Sequence, residues 1–262
     1  MRVDKHRSKN LLKKGPGGVA LGLLASMAFA AWGQTLTPLS RGDSASPPAP
    51  WRVVPFPGGG KAVTRFEMQA NGASRVLKIS ADNSYGSLLH EVSPVVLALG
   101  SKIRWRWKLE KPLLLADLRK REGDDAAIKI CALFDMSTAK LGLADRMLLS
   151  AARGRTTDPI PAATLCYVWD HLLPEGTELP NVFSGRVRFV VMDTGEGRLG
   201  QWVTHERDLA ADFLRAFGKE TDEMPPLIGI AVLADADNTH TSSVAYLAEV
   251  QLNAVAAVVL KP

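Results

Sequence analysis

Ile103-Arg104-Trp105-Arg106-Trp107-Lys108-Leu109 alternates strictly between apolar and cationic side chains. Period two is the repeat of an extended strand, so Ile103, Trp105, Trp107 and Leu109 share one face and the three cations the other. The stretch predicts a half-buried strand. Similar runs lie on both sides of it: Trp51–Pro55, Val63–Met68, Arg75–Ser80 and Ser87–Val92 before, then Ala126–Asp135, Thr164–Trp169, Val187–Asp193, Leu227–Ala234 and Val244–Leu252 after. Short strands at this spacing, separated by turn residues, predict a mostly β protein, a jelly-roll-like β-sandwich. Two helical patterns interrupt the series. Glu206 to Phe217 places Leu209, Phe213 and Phe217 four residues apart ahead of Gly218, and Leu141 to Ala152 carries a weaker apolar stripe.

The 262 residues suffice for one sizeable domain, and no second boundary shows after residue 51. The net charge of +5 suggests an anionic partner until its origin is traced. Arg2, Lys5, Arg7, Lys9, Lys13 and Lys14 against Asp4 account for all of it, so the body of the chain is balanced and gives no argument for nucleic acid. The basic start runs into the uncharged stretch Val19 to Ala31, with Ala28 and Ala30 around Phe29, the pattern of a secretory signal peptide over residues 1–30. An uncleaved N-terminal anchor is the alternative. The apolar stretch is short for a membrane span and nothing later is longer, so the mature form is expected to have none and to be periplasmic or secreted. Residues 31–50, rich in Pro, Ser, Thr and Gly, read as a linker, and 51–262 as the single sandwich domain.

Catalytic signatures are mostly missing: there is no G-x-S-x-G, H-E-x-x-H or phosphate-binding loop, and no G-x-G-x-x-G between a strand and a helix. Gly58-Gly59-Gly60-Lys61 has Ala62 where a phosphate loop needs Ser or Thr, and reads as a turn. The acidic clusters say more. Asp124-Asp125 precede one strong strand, and Asp235-Ala236-Asp237-Asn238 follow another, so both are expected at strand mouths. Oxygen donors at Asp235, Asp237 and Asn238 suit calcium, although His240 and Tyr246 spoil an EF-hand match, and Asp and Asn also cap turns by local hydrogen bonds. No cofactor is required by the sequence. Paired carboxylates serve glycoside hydrolysis when they face each other across a sugar, and Asp124, Asp125, Glu206, Asp235 and Asp237 supply candidates.

Six Trp against three Tyr is the other unusual feature. Alternation places Trp105 and Trp107 in the core, whereas Trp169, before Asp170 and His171, and Trp202, in a polar loop, are candidates for stacking on sugar rings. Cys131 and Cys166 fall in two strands that could be neighbours. After export they could pair as a disulfide, or they remain two buried thiols.

Ile103-Arg-Trp-Arg-Trp-Lys, Arg121-Glu-Gly-Asp-Asp-Ala-Ala-Ile-Lys-Ile, Leu165-Cys-Tyr-Val-Trp169, Trp202-Val-Thr-His-Glu206-Arg207 and Asp235-Ala-Asp237-Asn238-Thr239, in that order, resemble the bacterial exported family called domain of unknown function 3047. The resemblance covers about residues 51 to 252. It implies one exported domain and no established activity, and it marks Asp124, Asp125, Trp169, Trp202, Glu206, Arg207, Asp235, Asp237 and Asn238 as the residues of interest. Met136–Pro161 is longer than the family pattern, and the two cysteines lie outside its motifs. An acidic and aromatic cluster without a nucleophile favours a noncatalytic module for a glycan or another cell-envelope component. The alternatives are a carboxylate-based saccharide hydrolase and a structural envelope protein with no small ligand; oligomeric state is not readable. Arg207 has a plainer role open to it, pairing with an aspartate to pin the helix.

Overall fold

The structure, a computed structural model, describes residues 36–41, 45–158 and 160–255; the signal-peptide reading lies outside them. The first half of the chain forms β1 (Arg52–Val54), β2 (Ala62–Val63), β3 (Arg65–Asn71), β4 (Ser74–Asp82), β5 (Ser84–Val96), β6 (Lys102–Lys111) and β7 (Ala126–Phe134). Helix α1 (Leu143–Arg153) leads to β8 (Ala163–Asp170), β9 (Glu178–Pro180), β10 (Val187–Thr194) and β11 (Val203–Asp208). Helix α2 (Leu209–Phe217), β12 (Pro226–Asp235) and β13 (Ser242–Asn253) complete the domain.

Two sheets face each other. One runs β1-β5-β12-β7-β8-β10-β9 with β2 beside β5, the other β11-β6-β13-β4-β3. Pairing is antiparallel except at β8·β10 and β2·β5. The chain crosses between the sheets repeatedly, at β4–β5, β6–β7 and β12–β13 among other places, in the jelly-roll-like sandwich the strand pattern predicts. These three connections lie together at one end, because Asp82 pairs with Ser242, Tyr85 and Ala126 with Asp235, and Lys111 with Val244. Residues distant in sequence are therefore delivered to a common rim.

The strand that predicts the fold behaves as its alternation requires. Ile103, Trp105 and Trp107 are wholly buried and Leu109 nearly so, while Arg104 is exposed and Arg106 and Lys108 half-buried. Trp105 stacks on Tyr167 of the opposite sheet with centroids 4.8 Å apart and meets Trp107 edge-on at 5.4 Å. A second apolar cluster lies on the outer face of the larger sheet, where Leu118 and Leu173 from loops cover Cys131, Cys166, Val168, Phe189 and Ala231. Cys131 stands directly opposite Cys166 in the β7·β8 register, and the two are joined as a disulfide.

Three expectations are revised. The linker reading fails for its described part: Leu36 and Leu39 are buried in the main core, the Trp51 indole donates to the Thr37 carbonyl at 2.7 Å, and the Met68 N–H donates to the Ala45 carbonyl at 2.7 Å. Two leucines and an edge strand order a segment whose average composition predicts none. The helix expected from Glu206 starts at Leu209, because the Asp208 carboxylate accepts from the Ala211 N–H and caps it, and Val203–Asp208 pairs with β6 instead. The helix expected over Leu141 to Ala152 runs from Leu143 to Arg153, and only Leu149 in it is buried, while Leu148 is exposed. Among the described residues no helix is long and apolar enough to cross a membrane.

Because Trp105 is fully enclosed between the sheets, Trp105→Ala is expected to cost about 3–5 kcal/mol, read as a lower midpoint in chemical denaturation with an unchanged slope.

Candidate ligand site at the aspartate rim

Gly123 sets the approach of the first aspartate pair. A Cβ there would stand 2.8 Å from the Asp117 nitrogen, and the space is used by the Asp117 N–H donating to the Gly123 carbonyl at 2.8 Å. The chain then enters β7 through Asp124 and Asp125. The second cluster leaves β12 as Asp235, Asp237 and Asn238, and the two meet.

Asp125 is nearly wholly buried and fully engaged. Its Oδ1 accepts from the Asn238 N–H at 3.2 Å and the Asn238 amide at 3.3 Å, and its Oδ2 accepts from the Thr239 N–H at 2.6 Å and hydroxyl at 2.7 Å. The Asn238 amide also donates to the Asp124 carbonyl at 3.0 Å. Asp125 and Asn238 thus bind the β6–β7 and β12–β13 connections to each other and have little capacity left for a ligand.

Asp235 is spoken for as well. Its Oδ1 accepts from the Ala126 N–H at 2.7 Å, and its Oδ2 takes the Lys129 ammonium at 2.6 Å in a pair with both side chains buried. Burial pushes the Asp235 carboxyl up to about 6, although Lys129 pulls the other way. Burial also works against the charge on Lys129, but Asp235 and Asp124 outweigh it and hold the ammonium above its ordinary value. An ammonium thus sits against the carboxylate where a calcium ion was considered. Among the described residues no three His, Cys, Asp or Glu are grouped to hold a metal ion.

Two carboxylate oxygens remain. Asp124 accepts from the Asn181 amide on Oδ2 at 2.5 Å, and Asp237 pairs with Lys61 through Oδ2. The Oδ1 atoms of both are buried with no hydrogen-bond partner. Burial pushes the Asp124 carboxyl above its ordinary value against the pull of Lys129 and Asn181. The Lys61 ammonium lies 4.2 Å from the centre of the Phe56 ring, and Phe56 meets Tyr85 edge-on at 5.2 Å. Burial pushes the Tyr85 hydroxyl up to about 12, with the neighbouring aspartates adding to the shift and Lys129 opposing it. Two bare acceptors, a cation and an aromatic pair therefore share the rim.

The other expected site residues lie elsewhere. Trp169 is buried between the sheets, on the face of β8 shared with Leu165 and Tyr167, and its indole donates to the Gly195 carbonyl at 3.2 Å; it is core and offers no stacking surface. Trp202 is half-buried, with the Arg106 guanidinium 5.1 Å and the Lys108 ammonium 5.7 Å from its ring. Glu206 is exposed opposite Arg104 on the outer face of the smaller sheet. Arg207 grips Asp212 of α2 through two 2.8 Å bonds, and Asp212 also accepts from the Tyr167 hydroxyl at 2.7 Å and from Arg215 at 2.6 Å. Burial opposes the charge on Asp212, but these donors prevail and hold its carboxyl below the ordinary value. The helix is pinned to both sheets by this contact, the plainer role considered for Arg207.

Arg207 also borders a cleft of about 420 Å³ with Glu178, Met192, His205 and Arg215, at the edge where β9–β10 and β11 part. Beside it Asp193, wholly buried, accepts from the Trp107 indole at 2.7 Å, shares a hydrogen with His205 at 2.6 Å and pairs with Arg198 at 2.5 Å. These groups satisfy one another and close the seam.

Sequence reasoning missed Lys129, Lys61, Tyr85, Phe56 and Asn181. Lys129 left a signal, since a lysine within Ala126–Phe134, otherwise uncharged and mostly apolar, demands a buried anion. Lys61 follows the three glycines read as a turn, and only the fold brings it to Asp237.

The architecture defines the chain as a jelly-roll-like β-sandwich domain with a carboxylate-lined rim. The chain belongs to the family described as Protein of unknown function (DUF3047), whose pattern spans residues 49–251. No curated protein matches it in sequence. Solved structures similar to it include the family 11 carbohydrate-binding module of Clostridium thermocellum in complex with a β-1,3-1,4-mixed-linked tetrasaccharide, at 10% identity over 84% of this chain and 94% of that one, with a TM-score of 0.39. Trichoderma harzianum endoglucanase 3 of family GH12 matches at 9% identity over 79% of this chain and 98% of that one, with a TM-score of 0.36. The glycoside hydrolase domain of Endo-D from Streptococcus pneumoniae R6 matches at 11% identity and a TM-score of 0.34 over 77% of this chain, which spans 21% of that one. At such identities and scores these likenesses carry no functional argument.

Asp235→Asn leaves the Lys129 charge buried without its partner and is expected to cost about 3–5 kcal/mol in equilibrium unfolding. Combining it with Lys129→Met removes the orphaned charge and is expected to recover most of that loss.

Proposed function

We propose that the protein is an exported, noncatalytic β-sandwich module that binds a glycan or another hydroxyl-rich component of the cell envelope at the aspartate rim. The observation that carries this reading is the pair of buried, partnerless oxygens, Asp124 Oδ1 and Asp237 Oδ1. A buried acceptor left bare is costly, and a ligand dense in hydroxyl groups is the natural donor for two of them at once. Phe56 and Tyr85 add an aromatic surface for the apolar face of a sugar ring, and Lys61 a donor for its oxygens. The balanced charge of the chain beyond residue 14 leaves nucleic acid without support. Export is supported by the amino-terminal pattern and by the Cys131–Cys166 disulfide, a bond that persists in oxidising compartments. Binding is favoured over hydrolysis because Asp235, whose carboxyl burial pushes up to about 6, is held by Lys129 and the Ala126 N–H rather than free to pass a proton.

A glycan array followed by calorimetry on the best oligosaccharide tests the reading. Asp124→Asn and Asp237→Asn are each expected to weaken binding about tenfold or more, as loss of a charged acceptor does. An array without hits, or hits whose affinity neither substitution changes, overturns the assignment to the rim.

Lys129 supplies the positive charge at this site, so the module is proposed to need no calcium. Chelator treatment is expected to leave the melting temperature unchanged; a clear drop restored by added calcium would establish a metal requirement.

A further inference from the structure

Helix α1 turns its apolar side outward. Leu143 is 75% exposed, Met147 64% and Leu148 48%, and with exposed Ala144 and Ala151 they fall on one continuous arc of the helix. Leu149 points the other way and is buried, while Asp145, on that same side, approaches Arg186 at 3.7 Å. The helix is thus seated by one side and leaves its larger apolar side bare.

Cations line one flank of this arc, while Asp145, beyond the other flank, faces Arg186. Arg146 donates to the Leu141 and Ala139 carbonyls, both at 2.9 Å, and Arg153 donates to the Ile160 carbonyl at 3.0 Å. Carbonyls orient a guanidinium but do not neutralise it. Among the described residues neither these two nor Arg155 lies within ion-pair distance of a carboxylate; Lys140 is paired with Asp222. Arg146 and Arg153 share one flank of the arc, and Arg155 follows the helix.

We propose that α1 is a docking surface for an anionic lipid bilayer, with Leu143, Met147 and Leu148 entering the acyl boundary and Arg146, Arg153 and Arg155 meeting the headgroups. Exposed leucine and methionine on one side of a helix, flanked by unneutralised guanidinium groups, is the composition of a helix that lies in a membrane interface. A partner protein would need a groove that is both apolar and acidic, whereas a bilayer containing phosphatidylglycerol presents both properties everywhere. The inference is independent of the glycan reading. The segment bearing α1 leaves the carboxyl end of β7, and the aspartate rim is built at its amino end.

Vesicle flotation tests it, using phosphatidylcholine alone and an equal mixture of phosphatidylcholine and phosphatidylglycerol. The protein is expected to float with the mixed vesicles and not with phosphatidylcholine. Leu143→Glu combined with Met147→Glu is expected to lower the bound fraction about tenfold. Arg153→Gln combined with Arg155→Gln, or added salt, should give a comparable loss. All substituted side chains are exposed or half out of the fold, so melting curves matching the unsubstituted protein verify folding. Met147→Trp supplies a direct reading, a blue shift of emission with the mixed vesicles only. Absence of flotation, flotation unchanged by the Glu pair, or equal binding to both vesicle types overturns the proposal. So does self-association in sedimentation velocity that the Glu pair abolishes, which would assign the face to a second copy of the chain.

Discussion

The contact between indole rings on β6 and the aromatic residues of β8 governs the interior. Trp105 stacked on Tyr167 sets how closely the sheets approach, and Trp107, 6.1 Å from Trp169, continues the contact toward the open edge. The Trp105 indole N–H is buried without a partner, but the polar atoms that the other rings bring into the core are bonded. The Tyr167 hydroxyl is met by Asp212 and the Trp107 indole by Asp193. Those carboxylates are buried in turn and need cations, which arrive as Arg207 and Arg215 in one case and as Arg198 in the other, where His205 adds a hydrogen bond. A choice of large aromatic side chains on two strands thus propagates into the polar seam that fastens α2 and closes the sandwich.

The opposite consideration rules the end where the β4–β5, β6–β7 and β12–β13 connections gather. There the buried groups are charged first and apolar second, and most of their capacity is consumed internally. Asp125 holds the β12–β13 turn, Asp235 holds Lys129 and the start of β7, and what is left over is one oxygen on each of Asp124 and Asp237. Whether an aspartate's hydrogen-bonding capacity is spent or left over is therefore decided atom by atom, and residue identity alone does not draw that line.

That is also where the sequence ceases to be legible. Strand existence, the inward direction of Trp105 and Trp107, and the placement of the Asp124-Asp125 and Asp235–Asn238 clusters at strand ends all follow from period-two patterning and from turns; the meeting of the two clusters comes from the fold. Local pattern carries no information on which donors a fold will bring to a carboxylate, so Asp125 and Asn238 looked like ligand residues and proved to be fasteners. Trp169 misled for a related reason: the polar Asp170 and His171 that follow it end a strand whose alternation already points Trp169 inward with Tyr167. The ordering of Leu36 and Leu39 was hidden by an average, because two leucines suffice when a hydrophobic edge is waiting for them.

The covalent link between Cys131 and Cys166 has a bearing on Lys129 two positions earlier in the same strand. Lys129 lies opposite Val168 only while the cysteines stay opposite each other. Sliding β7 by a single residue would swing the ammonium off the outer face and into the space filled by indoles. The sulfur bridge forbids that slide, and so acts as a stop that keeps a buried cation beside its carboxylate.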